Sequence, residues 1–247
     1  MATSVPAEGS QPTAFAQTAN RIADWLIGHW LLVALLMLGV WNLLPWLAPV
    51  FMHLGWELPG RGIYWLYVFF CHQLPTRSWF LFGPQFTYSR DAVLLAATGA
   101  TDLVTPVTLR AFIGNSAMGW KLAWTDRMIS FYGGWLLVGL VYAVLRPAWR
   151  GLTLKIAILL MLPLLIDGLT HMLSDLGGLR WGFRETNAWL ALLTHSAFAP
   201  DFYNGDQWGS FNSLARLVTG LLAAIGLIGF AFPYIDRKLQ IIRPPEH

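Results

Sequence analysis

This chain of 247 residues is 56% hydrophobic and only 12% charged, about half the charged share of an ordinary soluble domain. That composition excludes most soluble classes. The net charge of +3 comes from scattered basic residues and not from a stripe, which argues against a nucleic-acid partner and leaves membrane orientation as their role. A single cysteine, Cys71, excludes an intrachain disulfide.

In chain order, residues 1–23 are small and polar, lack the basic start and apolar core of a cleaved leader, and read as a disordered cytoplasmic tail. Residues 24–238 read as one membrane-embedded helical domain, and 239–247 as a second cytoplasmic tail. Four runs of about 20 apolar residues predict spans near 25–47, 128–145, 154–173 and 214–235. The expected fold class is an all-α integral membrane protein. It is a small bundle of four transmembrane helices with additional interfacial or re-entrant helices on the outer side. "GIYWLYVFFC" (62–71) is too short to span, "DAVLLAATGATDLVTPVTLRAFI" (91–113) carries Asp102 and Pro106, and "AWLALLTHSAF" (188–198) is a further short helix.

Arg146, Arg150 and Lys155 lie between spans two and three, and Arg237, Lys238 and Arg243 follow span four. Basic residues in short loops stay in the cytoplasm, so both termini are expected inside the plasma membrane, with 51–127 and 174–213 outside. That topology gathers the unusual polar residues at the outer end. Asp126 and Arg127 open span two, and Arg216 opens span four. Asp167, His171 and Asp175 follow at four-residue steps on one face of span three. A rise of about 1.5 Å per residue from Lys155 puts Asp167 roughly 18 Å into the bilayer. An ionisable residue there costs about 2.5–3.5 kcal/mol unless paired or wetted, which makes it the main functional pointer.

Two chemistries fit. Cys71 or His72, Asp126, Asp167, His171 and His195 could supply three or four ligands to a divalent transition metal such as zinc, activating water against a lipid or lipid-linked substrate. Asp167, Arg127 and Arg216 are then the catalytic candidates, and Gln73, Arg77, Arg184 and Asn187 the substrate-holding ones. Alternatively, Asp167 and His171 relay protons or cations in a transporter. An accessory subunit that binds another membrane protein is the third reading. Gly133, Gly168 and Gly220 suit close helix packing.

Taken in order, "CHQLPTRSWFLFG", "DRMISFYGG", "PLLIDG", "RETN" and "LARLVTG" resemble the motifs of a bacterial and archaeal family of predicted membrane proteins, domain of unknown function 2085. The resemblance covers about 60–235 and falls on Cys71, His72, Gln73, Arg77, Ser78, Arg127, Gly133, Asp167, Gly168, Arg216, Thr219 and Gly220. It implies a prokaryotic inner-membrane protein and supplies no activity. Many relatives carry a cysteine where this chain has Asp126, and 85–124 and 188–212 read as insertions.

Overall fold

The computed structural model describes residues 13–99, 106–176 and 182–242. Four of its helices are long and apolar enough to cross a membrane: α2 (Trp30–His53), α6 (Asp126–Leu145), α7 (Leu154–Leu176) and α11 (Phe211–Ile242). They form an arc, α11 packing on α6 and α7 while α6 packs on α2. Alternating directions bring the end of α2, the start of α6, the end of α7 and the start of α11 to one end, called here the polar end.

Small residues set the closest approach. A Cβ on Gly220 of α11 would lie 2.1 Å from Ser130 Oγ, and one on Gly134 of α6 would lie 2.5 Å from Ala224 Cβ. A Cβ on Gly168 would lie 3.4 Å from Arg127 Nη1. At Gly133 a Cβ would make only ordinary contact, 3.6 Å from Asn42 Oδ1, so the tight contact belongs to its neighbour Gly134.

The opposite end is fastened by one carboxylate. Asp236 of α11 accepts from Trp30 Nε1 of α2 at 2.8 Å, from the Tyr142 hydroxyl of α6, and from Arg146 Nε and Nη2 at 2.7 and 2.5 Å. Three spans therefore meet on a single side chain.

Helix α1 (Ala14–Gly28) corrects the expected N-terminal tail, which is helical from Ala14; residues 1–12 lie outside the described residues. Thr13 caps it, accepting from Ala16 N at 3.3 Å. Phe15, Ala19, Ile22 and Leu26 share one face, and Gln17, Arg21 and Asp24 the other. His29 separates α1 from α2 and stacks on Trp25 with ring centroids 4.7 Å apart, so the first span starts at Trp30 and not near 25.

The described chain is mostly helical, in keeping with the expected all-α class, and adds one small sheet. The segment between α2 and α6 holds α3 (Glu57–Tyr67), α4 (Arg90–Thr98) and α5 (Pro106–Ala111) around a three-stranded antiparallel sheet. Its strands are β1 (Ser78–Leu81), β2 (Gly114–Asn115) and β3 (Gly119–Thr125), in the order β1-β3-β2. Turn chemistry explains it. Asn115 Oδ1 accepts from the amides of Ala117 and Met118 at 3.0 and 2.8 Å, and Gly119 takes φ +79°, where a Cβ would meet Leu81 O at 2.2 Å. β3 is buried along most of its length, so it lacks the alternation that marks a strand. The stretch 91–113, read from the sequence as an interfacial or re-entrant helix, holds two helices, α4 and α5, and Asp102 lies outside the described residues. Between α7 and α11 lie three short helices, α8 (Phe183–Thr186), α9 (Ala188–Leu193) and α10 (Pro200–Tyr203).

Candidate functional site

Five segments meet at the polar end. Four residues of helix α7 place Asp167, His171 and Ser174 on its buried face, with Asp175 beside them. The first turn of α6 supplies Asp126 and Arg127, and the second turn of α11 supplies Arg216. A 3-10 turn over Pro75–Arg77 turns Arg77 inward, and α8 presents Arg184 and Glu185.

Two of the arginines are saturated. Arg216 grips Asp126 with Nε and Nη2 at 2.7 and 2.8 Å, and Nη1 reaches Asp206 Oδ1 at 2.5 Å and His171 Nε2 at 3.2 Å. Arg77 grips Asp175 with Nη1 and Nη2 at 2.9 and 2.8 Å and meets Asp206 through Nε at 2.8 Å. Asp206 thus bridges both. Burial alone would raise its carboxyl, but the Arg77 and Arg216 guanidiniums hold it well below the usual carboxylate range.

The other two arginines are not saturated. Arg127 and Arg184 share one carboxylate: Arg127 Nη2 donates to Asp167 Oδ2 at 2.7 Å, and Arg184 Nη2 donates to Asp167 Oδ1. Both approach His171 Nδ1, at 3.4 and 3.1 Å. Their Nε atoms are buried without a hydrogen-bond partner, although Arg184 as a whole is only 8% exposed. His171 is thus surrounded by three guanidiniums, with Arg216 Nη1 at its Nε2 and the Asp167 carbonyl 3.0 Å from its Nδ1. Asp126, Asp175 and Asp206 face two guanidiniums, whereas Asp167 faces two alone. The network is balanced as a whole and locally positive beside α7.

No protein-family model, curated protein or solved structure matches this chain.

The metal set expected from the sequence is not assembled. Among the described residues, no three His, Cys, Asp or Glu side chains gather as they would around an ion. The physical reason is pairing, since Asp126 and Asp167 are already engaged by guanidiniums. Cys71 is buried in an apolar cluster with Tyr64, Tyr67 and Trp124, its Sγ 3.5 Å from Thr125 Oγ1. His72 is exposed, with Leu74 N 3.5 Å from its Nδ1, and His195 is exposed just after α9. Among the candidate substrate residues, Gln73 is fastened to Tyr64 O at 2.9 Å. Asn187 is fully buried and donates to the carbonyls of Arg184 and Tyr203 at 2.9 and 2.7 Å, tying α8 to α10. Both are structural fastenings.

Sequence reasoning missed Asp206, which sits in a glycine-flanked turn without periodicity. It also left Glu185 out of the site. Glu185 lies at the aqueous rim, with Arg90 Nη1 2.5 Å from its Oε1. A crevice bordered by Arg77, Arg90, Glu185 and Asp206 leads from that rim toward the network.

Burial pushes the Glu185 carboxyl up to about 7, against the opposing pull of Arg90. The folded chain then binds this proton more readily than the unfolded chain does, so Glu185 contributes stability below pH 4.5 that is lost as pH rises through about 7. Melting temperature in detergent should fall across that window, and Glu185→Gln should flatten the slope. An identical slope in the variant would assign the dependence to another group.

Proposed function

We propose that this chain is a four-span membrane protein, its basic loops and termini cytoplasmic, that binds a small oxyanion of the phosphate type between Arg127 and Arg184. The single observation behind the reading is that these two guanidiniums share the Asp167 carboxylate while each keeps a buried, unpartnered Nε. Buried donors without acceptors are costly, and an oxyanion presents acceptors enough for both forks. The membrane placement is supported by the large apolar side chains that the long helices expose, such as Leu159, Leu165 and Ile166, each above 60%. The orientation is supported by Arg146, Arg150, Lys155, Arg237 and Lys238, which all lie toward the Asp236 end. The order of the motifs carries the proposed kinship with the family of unknown function named above. The ligand is either free phosphate or the phosphate of a lipid headgroup, since both offer the same chemistry.

Calorimetric titration of the detergent-solubilised protein with inorganic phosphate and with a short-chain phosphatidic acid separates the two sources. Arg184→Gln should weaken the productive ligand at least tenfold, about 1.4 kcal/mol, with Arg184→Lys intermediate and His195→Ala unchanged. Absence of binding in the wild type, or equal binding in Arg184→Gln, would sink the proposal.

A further inference from the structure

A second cationic recess lies away from the arginine network, against α3. That helix buries Gly60, Ile63, Tyr64 and Tyr67 on one side. Its other side carries Leu58, Trp65 and Leu66, continued by Phe69, with exposures of 87, 69, 40 and 71%. Both sides of the helix are therefore apolar, and the outward one is interrupted by the charged Glu57–Arg61 pair.

Beside Trp65 opens a groove of about 410 Å³, walled by Arg61, Tyr64, Val68, Arg110 and Ile113. Among the described residues no carboxylate lines it. Arg110 Nη2 is turned to the Val68 and Cys71 carbonyls, leaving its Nε buried and unpartnered. Directly behind the wall sits Lys121, fully buried, with Nζ bonded to the carbonyls of Gln73 and Arg110 at 2.7 and 2.8 Å. Among the described residues no carboxylate pairs with Arg110 or Lys121. Burial lowers the Lys121 amine to about 7, so among the described residues the cations at the groove are Arg61 and Arg110, set against one exposed Glu57 that holds Arg61 by a single bond of 3.2 Å.

We propose that this groove holds the phosphate of an anionic membrane lipid, with the Trp65 side of α3 laid against the acyl chains. Charge complementarity selects an anion, and the contiguous exposed apolar face selects one that carries hydrocarbon. Arg61 and Arg110, both in the groove wall, hold the phosphate, and Trp65 marks the boundary between headgroup and chain. The inference rests on the membrane placement proposed above and is independent of the site at Arg127 and Arg184.

Lipid retention by native mass spectrometry of the protein in dodecylmaltoside tests it, with phosphatidylglycerol and phosphatidylcholine offered in equal amounts. The wild type should retain phosphatidylglycerol at least tenfold better. Arg61→Gln alters an exposed residue outside the core and should cut that preference several-fold; Arg110→Lys, which keeps the charge, should retain most of it. Equal retention of the two lipids, an undiminished preference in Arg61→Gln, or displacement of the lipid by millimolar inorganic phosphate would each overturn the proposal. Alkaline carbonate washing of cell membranes separates this failure from failure of the membrane placement. A chain released by the wash refutes both, whereas a retained chain without lipid preference refutes only the groove.

Discussion

Replacing Asp167 by asparagine should cost about 3–5 kcal/mol of stability, because it leaves two buried guanidiniums facing a neutral amide. Among the described residues Arg127 and Arg184 pair with no second carboxylate; each depends on Asp167 alone. The loss should be read as a drop in melting temperature of the purified protein in detergent. Adding Arg127→Gln to Asp167→Asn removes one of the stranded charges and should recover part of the loss, so a double-mutant cycle should return a coupling of about 0.5–3 kcal/mol. The same variant tests the anion reading from the other side. With the competing carboxylate gone, phosphate should bind more tightly and restore melting temperature. A stable Asp167→Asn protein, indifferent to phosphate, would mean that the two arginines do not depend on this carboxylate.

The second large effect is expected at Arg216. Its side chain is 2% exposed and makes a bidentate bond to Asp126, two bonds to Asp206 and one to His171. Lysine keeps the charge but offers a point donor in place of a planar fork, so it satisfies one carboxylate and strands the other. Arg216→Lys should therefore destabilise by about 3–5 kcal/mol although charge is conserved. Because Asp206 belongs to the loop over the polar end and Asp126 to α6, the variant should also loosen that loop. Limited proteolysis should show faster cleavage between Ser196 and Gly209, with cleavage near Gly151 unchanged as a control. Equal stability and equal cleavage would show that charge alone, without the fork, holds the network.

The four long helices were legible because lipid-length apolar runs are a local property of the sequence. Their boundaries moved where a local signal competed. His29 ends α1 and delays the first span, and α11, with Pro233 inside it, runs past the expected end near 235 to Ile242. The sheet was illegible for a physical reason. β3 is covered along its length, so its "GWKLAWT" shows no alternation, and the only clue was the Asn115–Gly119 turn. The four-residue spacing of Asp167 and His171 on one helix face was equally local, and both are buried.

What those residues do with their charges was decided elsewhere. A carboxylate inside an apolar run announces that it needs a partner, but the choice between a metal and a guanidinium depends on which segments arrive. Here α8 brings Arg184, α6 brings Arg127, and a turn with no periodic signature brings Asp206 to Arg77 and Arg216. Those contacts join residues up to 129 positions apart, and the four hydrogen bonds on Asp236 join α2, α6 and α11 in the same way. Hydropathy and helical period act within a turn or two of chain and so are written in order along it. Ion pairing acts across space. For this protein, composition and spacing determined that there would be four apolar helices with buried charges at one end, and only the packing of loops onto that end decided that arginines would hold them.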